Sequence, residues 1–260
     1  MFDGALWLQG LMALLGLGIA GWLASLPLRN VTLVDSLWSL MFLLAAGVYA
    51  WGAVPGTPRT TLVLVLTGLW ALRLSVYLTL RNWGHAEDHR YAAIRRNNSP
   101  GFAFKSLYIV FGLQAGLAWV VSLPLLGAIN SPAPLGLLDV AGVLLWLAGM
   151  VFEAGGDWQL SRFKADPANA GKVLDRGLWA LTRHPNYFGN ACLWWGFYLM
   201  AVQAGAWWTL PGPVLMTWLL LKISGVALLE KDIGERRPDY ADYIRRTPAF
   251  LPRWPQRPAS

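Results

Sequence analysis

Charge is scarce in these 260 residues: Asp, Glu, Lys and Arg together make up 13%, against 56% apolar residues. That balance, with a mean hydropathy of +0.43, excludes an ordinary soluble enzyme and puts the chain in a bilayer. Cysteine is nearly absent. The single Cys192 cannot close an internal disulfide, and beside Trp194 and Trp195 it reads as buried filler rather than as a nucleophile. Three histidines are too few for a His-rich di-iron centre. In "HAEDHRY", His85 and His89 bracket Glu87 and Asp88, which reads as local ion pairing in a loop and not as a metal site. The chain has no Gly-rich dinucleotide fingerprint, no phosphate loop with GKS or GKT, and no Ser-His-Asp arrangement. No basic residue precedes Arg29, so the first apolar stretch is expected to be a retained helix and not a cleaved signal peptide.

What is abundant is apolar length. A hydrocarbon core needs about 20 apolar residues per helix, and seven stretches approach that: 5–26, 32–53, 61–80, 105–128, 135–155, 188–205 and 207–229. Sixteen Trp and eight Tyr suit the aromatic belts of membrane interfaces. Lys and Arg favour cytoplasmic loops. With seven spans, eighteen of the twenty-one basic residues fall on one side: Arg29, the loops 81–105 and 156–187, and the tail from Lys231. The expected fold class is therefore an all-α integral membrane protein with seven transmembrane helices, its N-terminus outside and its C-terminus cytoplasmic. Residues 1–260 form one transmembrane domain on this reading, placed in a bacterial inner membrane. The net charge of +7 belongs to the cytoplasmic face, and its spread around helix ends argues against nucleic acid. Attraction to anionic membrane lipids accounts for much of it.

Several polar clusters interrupt the apolar pattern. In "FEAGGDWQLSRFK", Glu153 and Asp157 share a helical face, with Arg162 and Lys164 following. Two carboxylates at that depth need donors; a ribose diol or guanidinium would serve, and so would a structural ion pair with Arg162 or Arg183. "GLWALTRHPNYFGN" supplies Arg183 and His184 as donors, Asn186 as an amide, Tyr187 as a ring with a hydroxyl, and Gly189 for close approach. Pro185 can open the next helix, whose N-terminus suits an anion. The alternative is a capping loop whose Arg meets lipid phosphate. The tail adds Glu230, Lys231, Arg236, Arg237 and Tyr240, either as part of a cytosolic mouth or as a solvated amphipathic stretch. Asp35 enters the second helix with Arg29 as its only local basic neighbour. It is either an acid able to donate a hydrogen bond to a substrate carbonyl or a helix N-cap. Arg73 lies inside the third helix and needs a partner there, Asp35 or a ligand phosphate.

Three segments, "GMVFEAGGDWQLSRFK", "GLWALTRHPNYFGN" and "RPDYADYIRRTPAFLPRW", resemble in order and spacing the steroid 5-alpha-reductase family. The resemblance covers residues 149–254, and extends weakly to "ALRLSVYLTLRNWG" and "VDSLWS". It implies a seven-helix NADPH-dependent oxidoreductase that delivers hydride to the conjugated double bond of a 3-oxo-4-ene steroid or similar lipid enone. No obligate protein partner is expected. By motif, Asp157, Arg162, Lys164, Asn186, Tyr187, Lys231 and Tyr240 fall on cofactor-gripping positions in a carboxy-terminal part that faces the cytoplasm. Glu153, Arg183, His184 and Arg236 stand beside them, and Arg73 falls on a basic residue of the third helix. The family's polarising pair is a Glu preceded by Gln, with a Tyr one turn before the helical Arg; here Val34 and Asp35 hold the first positions and Trp70 the second, which leaves Asp35 as the catalytic acid. Two alternatives remain. One is an S-adenosylmethionine-dependent membrane methyltransferase of isoprenylcysteine or phospholipid type, using Glu230, Tyr240 and Tyr243. The other is a non-catalytic lipid-binding protein.

Overall fold

The structure, a computed structural model, describes residues 2–52, 57–223 and 240–254. Among these the chain is helical, without strands. Five helices are long and apolar enough to cross a membrane: α1 (Gly4–Leu28), α2 (Leu33–Gly52), α3 (Pro58–Asn82), α5 (Phe102–Val121) and α7 (Leu137–Ala165). Further helices of seven residues or more are α4 (His89–Asn97), α6 (Leu123–Ile129), α8 (Pro185–Gln203), α9 (Pro211–Trp218) and α10 (Tyr240–Arg246). The chain divides into two compact units, Met1–Gly136 with Met200–Gly212, and Leu137–Leu199 with Pro213–Ser260.

In the first unit, local chemistry sets the helix ends. Asp3 caps α1 by accepting from Leu6 N at 2.9 Å, and Arg29 ends it in the left-handed conformation. Thr57 caps α3, with Pro58 at its first position. Packing then uses large rings against missing side chains: a Cβ on Gly10 would lie 2.7 Å from the Tyr49 ring. The Tyr49 hydroxyl shares a 2.8 Å hydrogen bond with Ser122 Oγ. Trp7 and Trp119 stack at 3.7 Å, and each indole N–H donates to the other's main-chain carbonyl. Arg59, fully buried, donates to the carbonyls of Ala133 at 2.9 Å and Pro134 at 2.7 Å. Arg59 thus clamps the loop at 133–134.

In the second unit, α7 carries Gly142, Trp146, Gly149, Glu153 and Gly156 on its buried face, a spacing of four and three residues. Helix α8 meets it through Gly189 and Gly196. A Cβ on Gly189 would lie 2.4 Å from both Glu153 N and Gly149 O, and one on Gly196 2.7 Å from Gly142 O. Small residues at such a seam let two backbones approach, the usual basis of helix association in lipid.

Two element boundaries differ from the sequence expectation. The stretch 105–128 is broken after Val121, where Pro124 lacks the N–H that would continue the ladder and α6 begins. Helix α7 runs ten residues beyond 155. At 1.5 Å per residue its twenty-nine residues span about 43 Å, longer than a hydrocarbon core of roughly 30 Å, so its charged end extends past the apolar layer. The sixth expected span is matched by α8, whose nineteen residues are helical but not among the five membrane candidates. The seventh, 207–229, is described only as far as Ile223.

Candidate functional site

Two antiparallel rungs of polar side chains cross the α7–α8 seam. Glu153 and Asp157, 2% and 5% exposed, are one turn apart on α7. Asn190 and Asn186 are one turn apart on α8. Asn190 Nδ2 donates to Glu153 Oε2 at 3.1 Å and Asn186 Nδ2 to Asp157 Oδ1 at 3.2 Å. The close approach at Gly189 is what brings an amide within reach of each acid. Asn190 Oδ1 is buried and has no partner among the described residues, which leaves an acceptor inside the seam beside a carboxylate. Asn190 was missed as a site residue. The signal was present: a second i, i+4 pair of amides matching the i, i+4 pair of acids.

At the far end of α7 the second unit has a cleft of about 540 Å³ lined by Trp158, Gln159, Arg162, Phe163, Asn169 and Arg176, with one acid, Asp166, among them. The Arg162 guanidinium lies 5.3 Å above the Trp158 ring. Gln159 Oε1 accepts from Leu178 N, and Asn169 Nδ2 donates to the Phe163 carbonyl, so local bonds fix the walls. Two exposed guanidiniums and two aromatic rings can take an anion that carries an aromatic base. Arg176 and Trp158 were also unforeseen. Lys164 is exposed at the same end of α7.

Arg183 and His184, 7% and 4% exposed, are placed differently. Arg183 Nη1 donates to the carbonyls of Thr247 at 2.5 Å and Ile244 at 3.2 Å, and its amide donates to Pro248 O at 2.9 Å. His184 stacks in parallel on Tyr187, ring centres 5.4 Å apart. Tyr240 packs edge-on against Tyr243, whose hydroxyl donates to Trp179 O at 2.5 Å; burial pushes that phenol's pKa upward. Lys231 and Arg236 lie outside the described residues, as do Glu230 and Arg237.

Asp35 and Arg73 are in the first unit, with Arg73 half-buried on α3. Asp35 Oδ1 accepts from the Tyr91 hydroxyl at 2.6 Å and Oδ2 from Arg90 Nη2 at 3.0 Å, while Gln114 Nε2 donates to the Tyr91 oxygen at 3.3 Å. The cation that meets Asp35 is thus Arg90, 55 positions along the chain, and not Arg29 or Arg73. Arg90 also pairs with Asp88 at 2.9 Å, and Arg95 forks onto Glu87 through two 2.7 Å bonds. The ion pairs expected of "HAEDHRY" are present.

That fork has a pH consequence. The hydrogen bonds from Arg95 hold the Glu87 carboxyl below its ordinary value of 4.5, with a further bond from Val31 N. A lowered folded-state pKa gives stability that is fully present above 4.5 and lost as pH falls through the lowered value. Thermal unfolding of the detergent-solubilised protein is therefore expected to shift downward below pH 4.5, and Glu87→Gln to flatten that slope. Equal slopes in both proteins would remove Glu87 from the acid response.

The sequence profile of a family described as "Protein of unknown function (DUF1295)" matches residues 21–247. An uncharacterized protein of Schizosaccharomyces pombe is 27% identical over 275 residues, covering 94% of this chain and 79% of the relative. A Delta(14)-sterol reductase of Ascobolus immersus is 29% identical over 105 residues, covering 35% of this chain and 24% of the relative. No solved structure matches.

Proposed function

This chain belongs to the DUF1295 family, and from that membership we propose that it is an NADPH-dependent membrane reductase acting on the conjugated carbon–carbon double bond of a steroid or similar lipid enone. The family is related to the steroid 5-alpha-reductases, and the similarity to a sterol reductase points the same way. The observation that carries the reading is the cleft at the end of α7. Its volume, about 540 Å³, is in the range of small-molecule sites, roughly 300–1,000 Å³. The donor set suits the cofactor: Arg162 and Arg176, two cations against the one acid Asp166, would hold its phosphates, and Trp158 and Phe163 would offer faces to its base. On this reading Asp157 and Glu153, held by Asn186 and Asn190, orient the polar remainder, and Lys164, Tyr187 and Tyr240 are assigned to the cofactor with them; Lys231 and Arg236, assigned to it by sequence, lie outside the described residues.

Bound NADPH would supply a hydride to the carbon beta to the ketone and leave as NADP+, and a proton from water, taken up at the alpha carbon, would complete the reduction. Negative charge would develop on the carbonyl oxygen between the two, and a placed donor lowers that barrier. Asp35 is the group we assign to it, in a role that requires its protonated carboxyl, since in the structure both oxygens accept, from Tyr91 and from Arg90. The topology we propose has seven spans, the N-terminus outside and the C-terminus in the cytoplasm of a bacterium, and on it the cleft faces the cytosolic cofactor pool.

Calorimetry on the detergent-purified protein tests this with NADPH, NADH and S-adenosylmethionine. NADPH is expected to bind selectively, and Arg162→Ala to weaken it roughly ten- to a hundredfold, the loss of a hydrogen bond to a charged group. Binding of S-adenosylmethionine in its place would move the whole polar face to methyl transfer.

A further inference from the structure

The first unit contains a second cavity, remote in sequence from the residues assigned to the cofactor. It holds about 250 Å³ between the end of α1 and the start of α5, and is lined by Ser25, Leu26, Arg29, Arg95, Phe102 and Ser106. We propose that it binds the phosphate of an anionic glycerophospholipid head group, with Arg29 and Arg95 as the cationic grip.

The cavity is built rather than incidental. The Arg95 guanidinium carbon lies 4.4 Å from the centre of the Phe102 ring, with Nε and Nη2 committed to Glu87 and Nη2 also to the Arg29 carbonyl. Its Nη1 has no partner among the described residues. Trp22 Nε1 donates to Ala103 O at 2.7 Å and ties the two walls together. Ser25 and Ser106 donate their hydroxyl hydrogens to the Trp22 and Ala103 carbonyls, so the donors left for an anion are the guanidiniums. Arg29 is exposed, and its guanidinium has no hydrogen-bond or ion-pair partner among the described residues. Glu87 cancels the charge of Arg95, and Arg29 leaves the cavity's balance positive.

Size and surroundings choose the ligand. The volume is below the range of nucleotide-sized sites, about 300–1,000 Å³. Leu23, Leu28, Phe104 and Tyr108, on the same two helices, are all more than half exposed and present an apolar flank suited to acyl chains. Arg29 follows directly on α1, a helix long and apolar enough to cross a membrane, and a cation at such a helix end is attracted to anionic lipid. A lipid joins those two surfaces in one molecule, whereas a free phosphate would use only the polar one.

Native mass spectrometry of the full chain from nanodiscs of phosphatidylglycerol mixed with phosphatidylcholine reads this directly. Wild type is expected to retain one phosphatidylglycerol. Arg29→Gly removes the charge yet suits the left-handed backbone at φ 49°; retention is expected to fall roughly fivefold, the effect of one interfacial cation. Arg29→Lys keeps the charge and restores retention, and Arg96→Ala leaves it unchanged. Equal retention by wild type and Arg29→Gly overturns the proposal. So does displacement of the lipid by millimolar inorganic phosphate, which would make this a site for the free anion.

Discussion

Gly189→Ala is expected to unfold the second unit at markedly lower temperature. The added methyl carbon would lie 2.4 Å from Glu153 N and Gly149 O and 2.9 Å from Glu153 Cβ. Two of these three atoms are main chain, so no rotamer change relieves the clash and α8 must move off α7. Overpacking costs typically 1–3 kcal/mol. Here separation of the helices also lengthens both carboxylate–carboxamide rungs, and each buried acid that loses its donor adds about 1–3 kcal/mol. A total near 3 kcal/mol or more corresponds to a fall of roughly 6–12 °C in a chain of this size. Gly47→Ala is the matched control: it is helical, and its added carbon meets nothing within 4 Å. Circular dichroism in detergent is expected to show that variant unchanged or slightly stabilised. Equal melting of the two variants would mean that the seam is not tight, and would weaken the case that its rungs are preorganised.

Helices α1, α2 and α3 were readable because they are long, mostly apolar runs, with Asp3 capping α1 and Thr57 capping α3. What resisted reading was contact at a distance in the chain. Asp35 finds Arg90 and Tyr91 more than fifty positions away, and hydropathy has nothing to say about that pairing. The extension of α7 was missed for a related reason: a transfer scale measures where lipid ends, not where the hydrogen-bond ladder ends. Helix α8 is legible as a helix but interrupted by Asn186, Gly189 and Asn190, the residues that make its contact with α7. Arg183 is the most instructive case. Sequence identifies a donor, while the acceptors it meets are main-chain carbonyls that every residue carries. A motif rich in donors therefore reads as a ligand site whether its partner is a cofactor or the protein's own backbone.

That ambiguity gives the second large effect, in Arg183→Ala. Residues 181–183 form a receptor for the segment after α10. Besides the three bonds of Arg183, Thr182 Oγ1 donates to the carbonyls of Ala249 at 3.2 Å and Phe250 at 3.0 Å, and Arg253 N donates to Leu181 O at 2.9 Å. The guanidinium sits at the C-terminal end of α10, where unpaired carbonyls collect negative potential and a cation is favoured. Its removal leaves the Ile244 and Thr247 carbonyls without that donor. At about 1.5–3 kcal/mol for each charge-assisted bond, the segment is expected to open on the order of a hundredfold more often. Hydrogen exchange of the amides at 247 and 253 is the measurement, since both are hydrogen-bonded only while the segment is docked or α10 is wound. Amides in the middle of α7 supply the internal reference and are expected to keep their protection. Arg183→Lys retains the charge but loses the fork, and is expected to fall between the two. Unchanged exchange at 247 and 253 together with weakened NADPH binding would reverse the assignment, making Arg183 a ligand for cofactor phosphate and its contacts with the tail incidental. Faster exchange with NADPH affinity preserved would leave the cleft at Arg162 and Arg176 as the phosphate site, with Arg183 acting through the backbone it holds.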